Sequence, residues 1–312
     1  MKKIQRQVAL NTDNWYQQQE HGAGSFRLNL LFWIYRIFGI RFVKFWVWIV
    51  SGIIGMSAKS AKKFSQQYRC ILNDYQAVHK IRTSHFSASK HIRVFAYSLV
   101  DKMVAMCDKK DRIVFTPRNN ADWREFKKLI DNKQGIFLIC SHVGNIEALA
   151  ALPDSNGLKI HAFQQVSQTG VFHGFISKHS VRTNTIIHPV EDMNVGTATE
   201  MFDALNNGDL VMMAGDRISA TNPNKTIPAR VLGQDCKLPL GVFKFAKAMA
   251  HPVFAVALLN IGPEKYDLIV KKLDGQNTNT MAKGFSSFLE KTALMAPIQW
   301  FNFYNFFTNA PV

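Results

Sequence analysis

From about residue 112 onward, short apolar runs alternate with amphipathic stretches, and few architectures other than a helix-covered sheet accommodate that alternation. The runs are Ile136–Cys140, Leu158–Phe163, Thr185–Val190, Leu210–Ala214, Val253–Leu258 and Leu268–Val270. Between them lie helical candidates at 122–131, 145–152, 195–206 and 239–250, and another helix runs to about Met295. Ser219–Pro228 is rich in turn formers and is expected as a long loop. The predicted class is α/β: a mixed sheet flanked by helices, with an N-terminal helical membrane-associating segment. Residues 1–110 are expected to form that helical, basic and aromatic region, and 111–312 the α/β domain. Within the first part, helical periodicity covers 60–80 and 86–107. In the second of these Phe86, Ile92, Phe95, Leu99, Met103 and Met106 are expected on one buried face.

Charge is distributed unevenly. Residues 1–150 carry 24 Lys and Arg against 10 Asp and Glu, whereas 151–312 carry 14 against 12. A basic half implies an anionic partner, either nucleic acid or the surface of an anionic membrane. Residues 26–58, FRLNLLFWIYRIFGIRFVKFWVWIVSGIIGMSA, decide for the membrane, because a nucleic-acid arm would not carry this much Phe, Trp and Ile. Arg27, Arg36, Arg41 and Lys44 interrupt the apolar run, and its longest uncharged stretch, Phe45 to Ala58, has 14 residues. That is short of the roughly 20 a clean span needs. A monotopic or re-entrant anchor is therefore the leading reading, with a single span and a buried helical hairpin as alternatives. Gly52 and Gly55 would allow a bend. Four widely spaced cysteines without a CxxC pair argue for a reducing compartment rather than a disulfide scaffold.

The chemistry concentrates in GIFLICSHVGNIEALAAL, residues 135–152. An apolar strand is expected to end at Ser141 and His142, Gly144 and Asn145 to turn the chain, and a helix to begin around Ile146. His142 then lies at the carboxyl end of a strand, where α/β folds place their sites, and Glu147 lies in a first helical turn. Such a pair suits general-base catalysis, the imidazole taking a proton and the carboxylate fixing its tautomer. The spacing alone also allows the plainer reading, in which His142 caps a strand and Glu147 starts a helix. Cys140 is predicted to be a buried, inert thiol, and His173 and His179 lack any zinc-site pattern.

Five blocks in order resemble the lysophospholipid acyltransferase superfamily, and within it the branch of bacterial lipid A late acyltransferases (lauroyl and myristoyl transferases). SHVGNIE is similar to its His-x4-Asp/Glu block, and AGDRI (214–218), RVLGQDCKLPLGVFKFA (230–246) and HPVFAVAL (251–258) to its later blocks. APIQWFNFYNFF is close to the branch's Pro-x-Gln-Trp ending, and the early WYQQQEHGAGSFRLNLLFWIYRIFGIR resembles N-terminal segments of its members. Glycerolipid members of the superfamily usually have Asp in the first block and Glu-Gly in the third. Glu147 and Leu240-Gly241 depart from both, which favours the lipid A-like branch.

The resemblance implies an O-acyltransferase that moves a fatty-acyl group from acyl carrier protein or coenzyme A to a hydroxyl of a bacterial glycolipid such as a lipid A precursor. It implies His142 as base and Glu147 as its orienting partner. Asp216 and Arg217 would lie on the acceptor side, and Arg230, more weakly, would serve the carrier's phosphate or the acceptor. Backbone amides near Gly144 or in 230–241 would hold the oxyanion. No cofactor and no metal are expected. The partners would be the acyl donor, a membrane lipid or glycolipid acceptor and an anionic membrane surface, not nucleic acid; the place would be the cytoplasmic face of a bacterial inner membrane. Alternative acceptors are a polyene or other lipid-like secondary product, or an amino-acid lipid. A non-catalytic membrane-bound scaffold is the reading outside enzymology.

Overall fold

In a computed structural model, which describes residues 25–108, 113–151, 157–165, 174–181, 184–219 and 222–307, the alternating runs form a mixed seven-stranded sheet. Its strands are β1 (Val114–Pro117), β2 (Ile136–Gly144), β3 (Ile160–Gln164), β4 (Thr185–Pro189), β5 (Leu210–Ala214), β8 (Val253–Gly262) and β9 (Lys265–Leu273). Their order across the sheet is β1-β9-β8-β2-β5-β3-β4. All neighbouring pairs are parallel except β8 and β9, which form an antiparallel hairpin. A separate hairpin of β6 (Thr226–Val231) and β7 (Gln234–Pro239) turns at Leu232 and Gly233, both with positive φ.

Helices cover both faces: α4 (Ala121–Asp131), α5 (174–179), α6 (Val195–Asn206), α7 (Leu240–Met249) and α8 (Thr278–Met295). β2 shows why its sequence is apolar without a break. Phe137 and Ile139 enter the core beneath α6, α7 and α8, while Ile136, Leu138 and Cys140 enter the core beneath α4. A strand covered on both faces cannot alternate apolar with polar. Burial of each such large aliphatic or aromatic side chain is worth about 1.5–3 kcal/mol.

Several limits differ from those expected. β2 continues to Gly144, so His142 lies within the strand. The helix expected after it is a 3-10 helix, Ile146–Ala151. β8 and β9 outrun their apolar segments because hairpin pairing continues where one face meets solvent. β6 begins at Thr226, inside the expected loop, of which residues 220 and 221 lie outside the described set.

The N-terminal region contains α1 (Ser25–Ser57), α2 (Lys59–Val78) and α3 (Ala88–Cys107). The buried stripe of α3 passes through Val100, 2% exposed, and leaves Leu99 42% exposed; four-residue steps from Ile92 arrive at 100, not 99. α1 is broken at Gly39 (φ 81°, ψ 174°), whereas Gly52 and Gly55 lie within its helical turns. Its inner side chains Phe32, Tyr35 and Val43 pack with α3 and with Phe175 and Ile176 of α5. Tyr35 donates to Asp108 at 2.5 Å, and Lys44, one of the basic residues that interrupt the apolar run, pairs with Asp101 of α3 at 2.7 Å. The outer side exposes Trp33, Ile37, Phe38, Phe42, Phe45 and Trp46, beside exposed Arg36 and Arg41. Among the described residues no helix is long and apolar enough to cross a membrane.

Candidate active site

His142 is presented by an irregularity in β2. Cys140 pairs with Val256 of β8, but Gly144 pairs with Leu258, so three β2 residues stand opposite one of β8. A bulge of this kind lifts the strand out of its pleat and re-aims its side chains. Gly144 closes it at φ 81°, and a Cβ there would stand 1.9 Å from the Leu258 carbonyl oxygen. Only glycine permits that approach. The Asn145 amide then donates to the same carbonyl at 2.9 Å, which starts the 3-10 helix.

The bulge frees the His142 amide from the β-ladder, and Asp216 takes it. Asp216 follows the end of β5, the strand beside β2, and is 2% exposed. Its Oδ2 accepts the His142 backbone N–H at 2.8 Å, and its Oδ1 lies 2.8 Å from the His142 Nδ1. Burial raises the pKa of a carboxyl, but the His142 ring, its hydrogen bonds and the Arg217 charge outweigh burial and hold Asp216 below its ordinary value. An ionised Asp216 can only accept, so Nδ1 carries a proton and the neutral form of the ring has its lone pair on Nε2. His142 keeps 34% side-chain exposure.

Glu147 is engaged differently from the expectation that it orients His142. It lies on the 3-10 helix and pairs with Lys102 of α3 at 2.7 Å. Burial raises its pKa, yet Lys102 and, to a smaller extent, the charge on His142 hold it below the ordinary value. Glu147 therefore stands ionised within electrostatic reach of the imidazole. Beside the pair opens a narrow cleft. Its walls are mostly apolar, with Met106, Leu149, Ile160, Ala162, Ile187 and Met212 among them.

The C-terminal segment straps the site together. Phe301 donates its amide to the His142 carbonyl at 3.0 Å, and Val143 pairs with Trp300 in an isolated bridge. Tyr304 donates to the Asp216 backbone carbonyl at 2.9 Å. Gln299 clamps Asn260 of β8 with two hydrogen bonds, and the buried His91 of α3 reaches the Trp300 carbonyl at 3.0 Å.

The family model for bacterial lipid A biosynthesis acyltransferases matches residues 95–308, a span that contains His142, Glu147, Asp216 and the strap. The chain belongs to that family. No match is found among curated proteins. The molecule is therefore an acyltransferase of the lipid A type, which requires an acyl donor and a lipid acceptor.

Within this acyltransferase the remaining expected residues fall in different places. Asp216, expected on the acceptor side, has both carboxylate oxygens occupied by His142. Arg217 is half-buried; one guanidinium nitrogen lies 3.4 Å from the Phe301 carbonyl, and the group sits over the Tyr304 ring at 5.8 Å. Arg230 is exposed on β6, and its Nε donates to Gly233 of its own hairpin at 3.0 Å. The amides expected to hold an oxyanion are partly committed: Leu240 donates to Lys225, and Leu232 to Glu290. Cys140 is buried, and burial first, then the charges of Asp216 and Glu147, push its thiol well above the ordinary range. His173 lies outside the described residues, and His179 bonds Asn29 at 2.7 Å. The sequence reading missed Lys102 and Tyr304. The aromatic ending that carries Tyr304 was visible; Lys102 lies in a helix with no local mark of chemistry.

Proposed function

We propose that this acyltransferase moves a fatty-acyl group from a carrier thioester to a hydroxyl of a bacterial glycolipid such as a lipid A precursor, with His142 as general base. One observation carries the reading. Asp216 grips both the amide and Nδ1 of His142, leaving Nε2 for the lone pair of a side chain that keeps 34% exposure. Nε2 takes the acceptor's hydroxyl proton, and the oxygen attacks the thioester carbonyl to form a tetrahedral oxyanion. Collapse breaks the carbon–sulfur bond, and the thiolate leaves with the proton from the imidazolium. Asp216 fixes the tautomer. Glu147, kept ionised by Lys102, stabilises the imidazolium through space. Arg217 and Arg230 are assigned to substrate binding, Arg217 beside the strap and Arg230 at the hairpin. The acyl chain lies in the apolar cleft beside Glu147.

The donor is acyl carrier protein rather than coenzyme A, because an acidic carrier suits the excess of 24 basic over 10 acidic residues in the first 150. Residues 1–110 attach the enzyme to the cytoplasmic face of the bacterial inner membrane. The exposed aromatic side of α1 enters the bilayer surface without crossing it. Mass spectrometry of lipids from cells with and without the gene tests the function. A glycolipid lighter by one acyl group in the deleted strain is expected; an unchanged glycolipid profile contradicts it.

A further inference from the structure

We propose that His161, His188 and Glu200, with a water molecule as fourth ligand, bind a divalent transition-metal ion, Zn²⁺ by its preference for imidazole and carboxylate, at a site that ties the edge strand β4 to β3 and α6. His161 stands on β3 and His188 on β4, and the parallel register sets Phe163 opposite His188, so the two histidines are diagonal neighbours on one face. Nδ1 of His161 lies 3.0 Å from Nε2 of His188. Two ligand nitrogens of a tetrahedral zinc ion, each bonded at about 2.0–2.1 Å, stand about 3.3 Å apart. Glu200 descends from α6, and ligand atoms of all three residues lie within 4.8 Å of one another. Its exposed side chain can close the remaining gap by a change of rotamer.

The surroundings are those of a ligand set. His161 is 5% exposed, and its other nitrogen, Nε2, lies 3.4 Å from Oδ2 of Asp209. Oδ1 of Asp209 is itself fixed by the Lys159 amide at 3.0 Å. A carboxylate on the far nitrogen fixes the ring and leaves Nδ1 with its lone pair toward His188, the arrangement metal-binding histidines commonly show. The cleft beside Glu147 is lined by Ile160, Ala162, Thr185 and Ile187, the alternate residues of the same two strands. The histidines therefore face away from it, and the ion takes no part in acyl transfer. Its effect is on stability: β4 is an edge strand and is only half-buried along its length.

The full-length protein in detergent, stripped of metal by a chelator, is titrated with Co²⁺ alone while visible absorption is followed, then with Zn²⁺ by calorimetry. One equivalent per chain should bind with a tetrahedral cobalt spectrum, and Zn²⁺ should raise the melting temperature. His188→Gln and Glu200→Gln alter the less buried ligands, and each should weaken Zn²⁺ binding at least tenfold while melting like the wild type without metal. Asp209→Asn should weaken it about 10–100-fold. Sub-stoichiometric binding would leave only a His161–His188 hydrogen bond and overturn the proposal. Unchanged affinity in both His188→Gln and Glu200→Gln would place the ion elsewhere and overturn it equally.

Discussion

An aspartate at 2% exposure is costly to ionise unless its surroundings repay the loss of water, and around Asp216 they do so through His142 and Arg217. Removing its charge while keeping its shape therefore isolates the orienting role. Asp216→Asn can present an N–H to Nδ1 and so favours the wrong tautomer. The expected loss is about 10⁴-fold in kcat with little change in KM. Glu147→Gln leaves the tautomer intact and removes a charge near the imidazolium together with the Lys102 ion pair, so about 10²-fold is expected. Steady-state rates of the two purified variants decide, and the reverse order would return the orienting role to Glu147. His91 supplies a second test. Its Nε2 faces the Trp300 carbonyl, Nδ1 faces Ser65 at 2.9 Å, and burial lowers its pKa to about 4, the Trp300 bond opposing. Below about pH 6.5 the unfolded chain takes up a proton that the folded chain refuses down to about pH 4. Stability should fall across that window by up to ~3 kcal/mol and level off below it. Melting curves should show this component flattened in His91→Gln; an unchanged slope would remove His91 as its source.

The strand–bulge–3-10 passage from Ile136 to Ala151 depends on one backbone geometry. Gly144→Ala meets both a positive φ and the Leu258 carbonyl, so the bulge must shift or the strand must part from β8. Expected are a destabilisation of more than about 2 kcal/mol and a loss of activity that conservative changes elsewhere in β2 do not cause. Thermal melts of Gly144→Ala check it; wild-type stability would mean that the bulge is not fixed there. Elements governed by their own residues were legible in advance: β5 and α6 have the limits their apolar and amphipathic patterns suggest. The bulge was not legible, because it exists only against β8, more than a hundred residues later. The same holds for the His142 partner. Spacing five residues away pointed to Glu147, while the hydrogen bond comes from Asp216, 74 residues along and delivered by strand order. The strap is intermediate: its aromatic composition was conspicuous, but its contacts with His142 and Asp216 are long-range.

Across the whole molecule, the basic first half and the aromatic outer side of α1 lie on the same region of the chain. The inner side of α1 packs on α3 through Phe32, Tyr35 and Val43, so deleting the helix would damage the fold as well as any attachment. Trp33→Asp with Ile37→Asp changes only exposed positions, 58% and 70% accessible. This pair should release most of the protein from sedimented membranes with its melting temperature kept. Raised salt alone should release little, because apolar insertion is not screened. Full retention of the double variant would place the attachment elsewhere. Catalysis by His142 remains the centre of the mechanism, and acyl transfer by the purified full-length enzyme in lipid vesicles tests it most directly. His142→Ala should lower kcat about 10²–10⁴-fold while the protein melts and sediments as the wild type does. Turnover close to wild type in that folded, membrane-bound variant would contradict it.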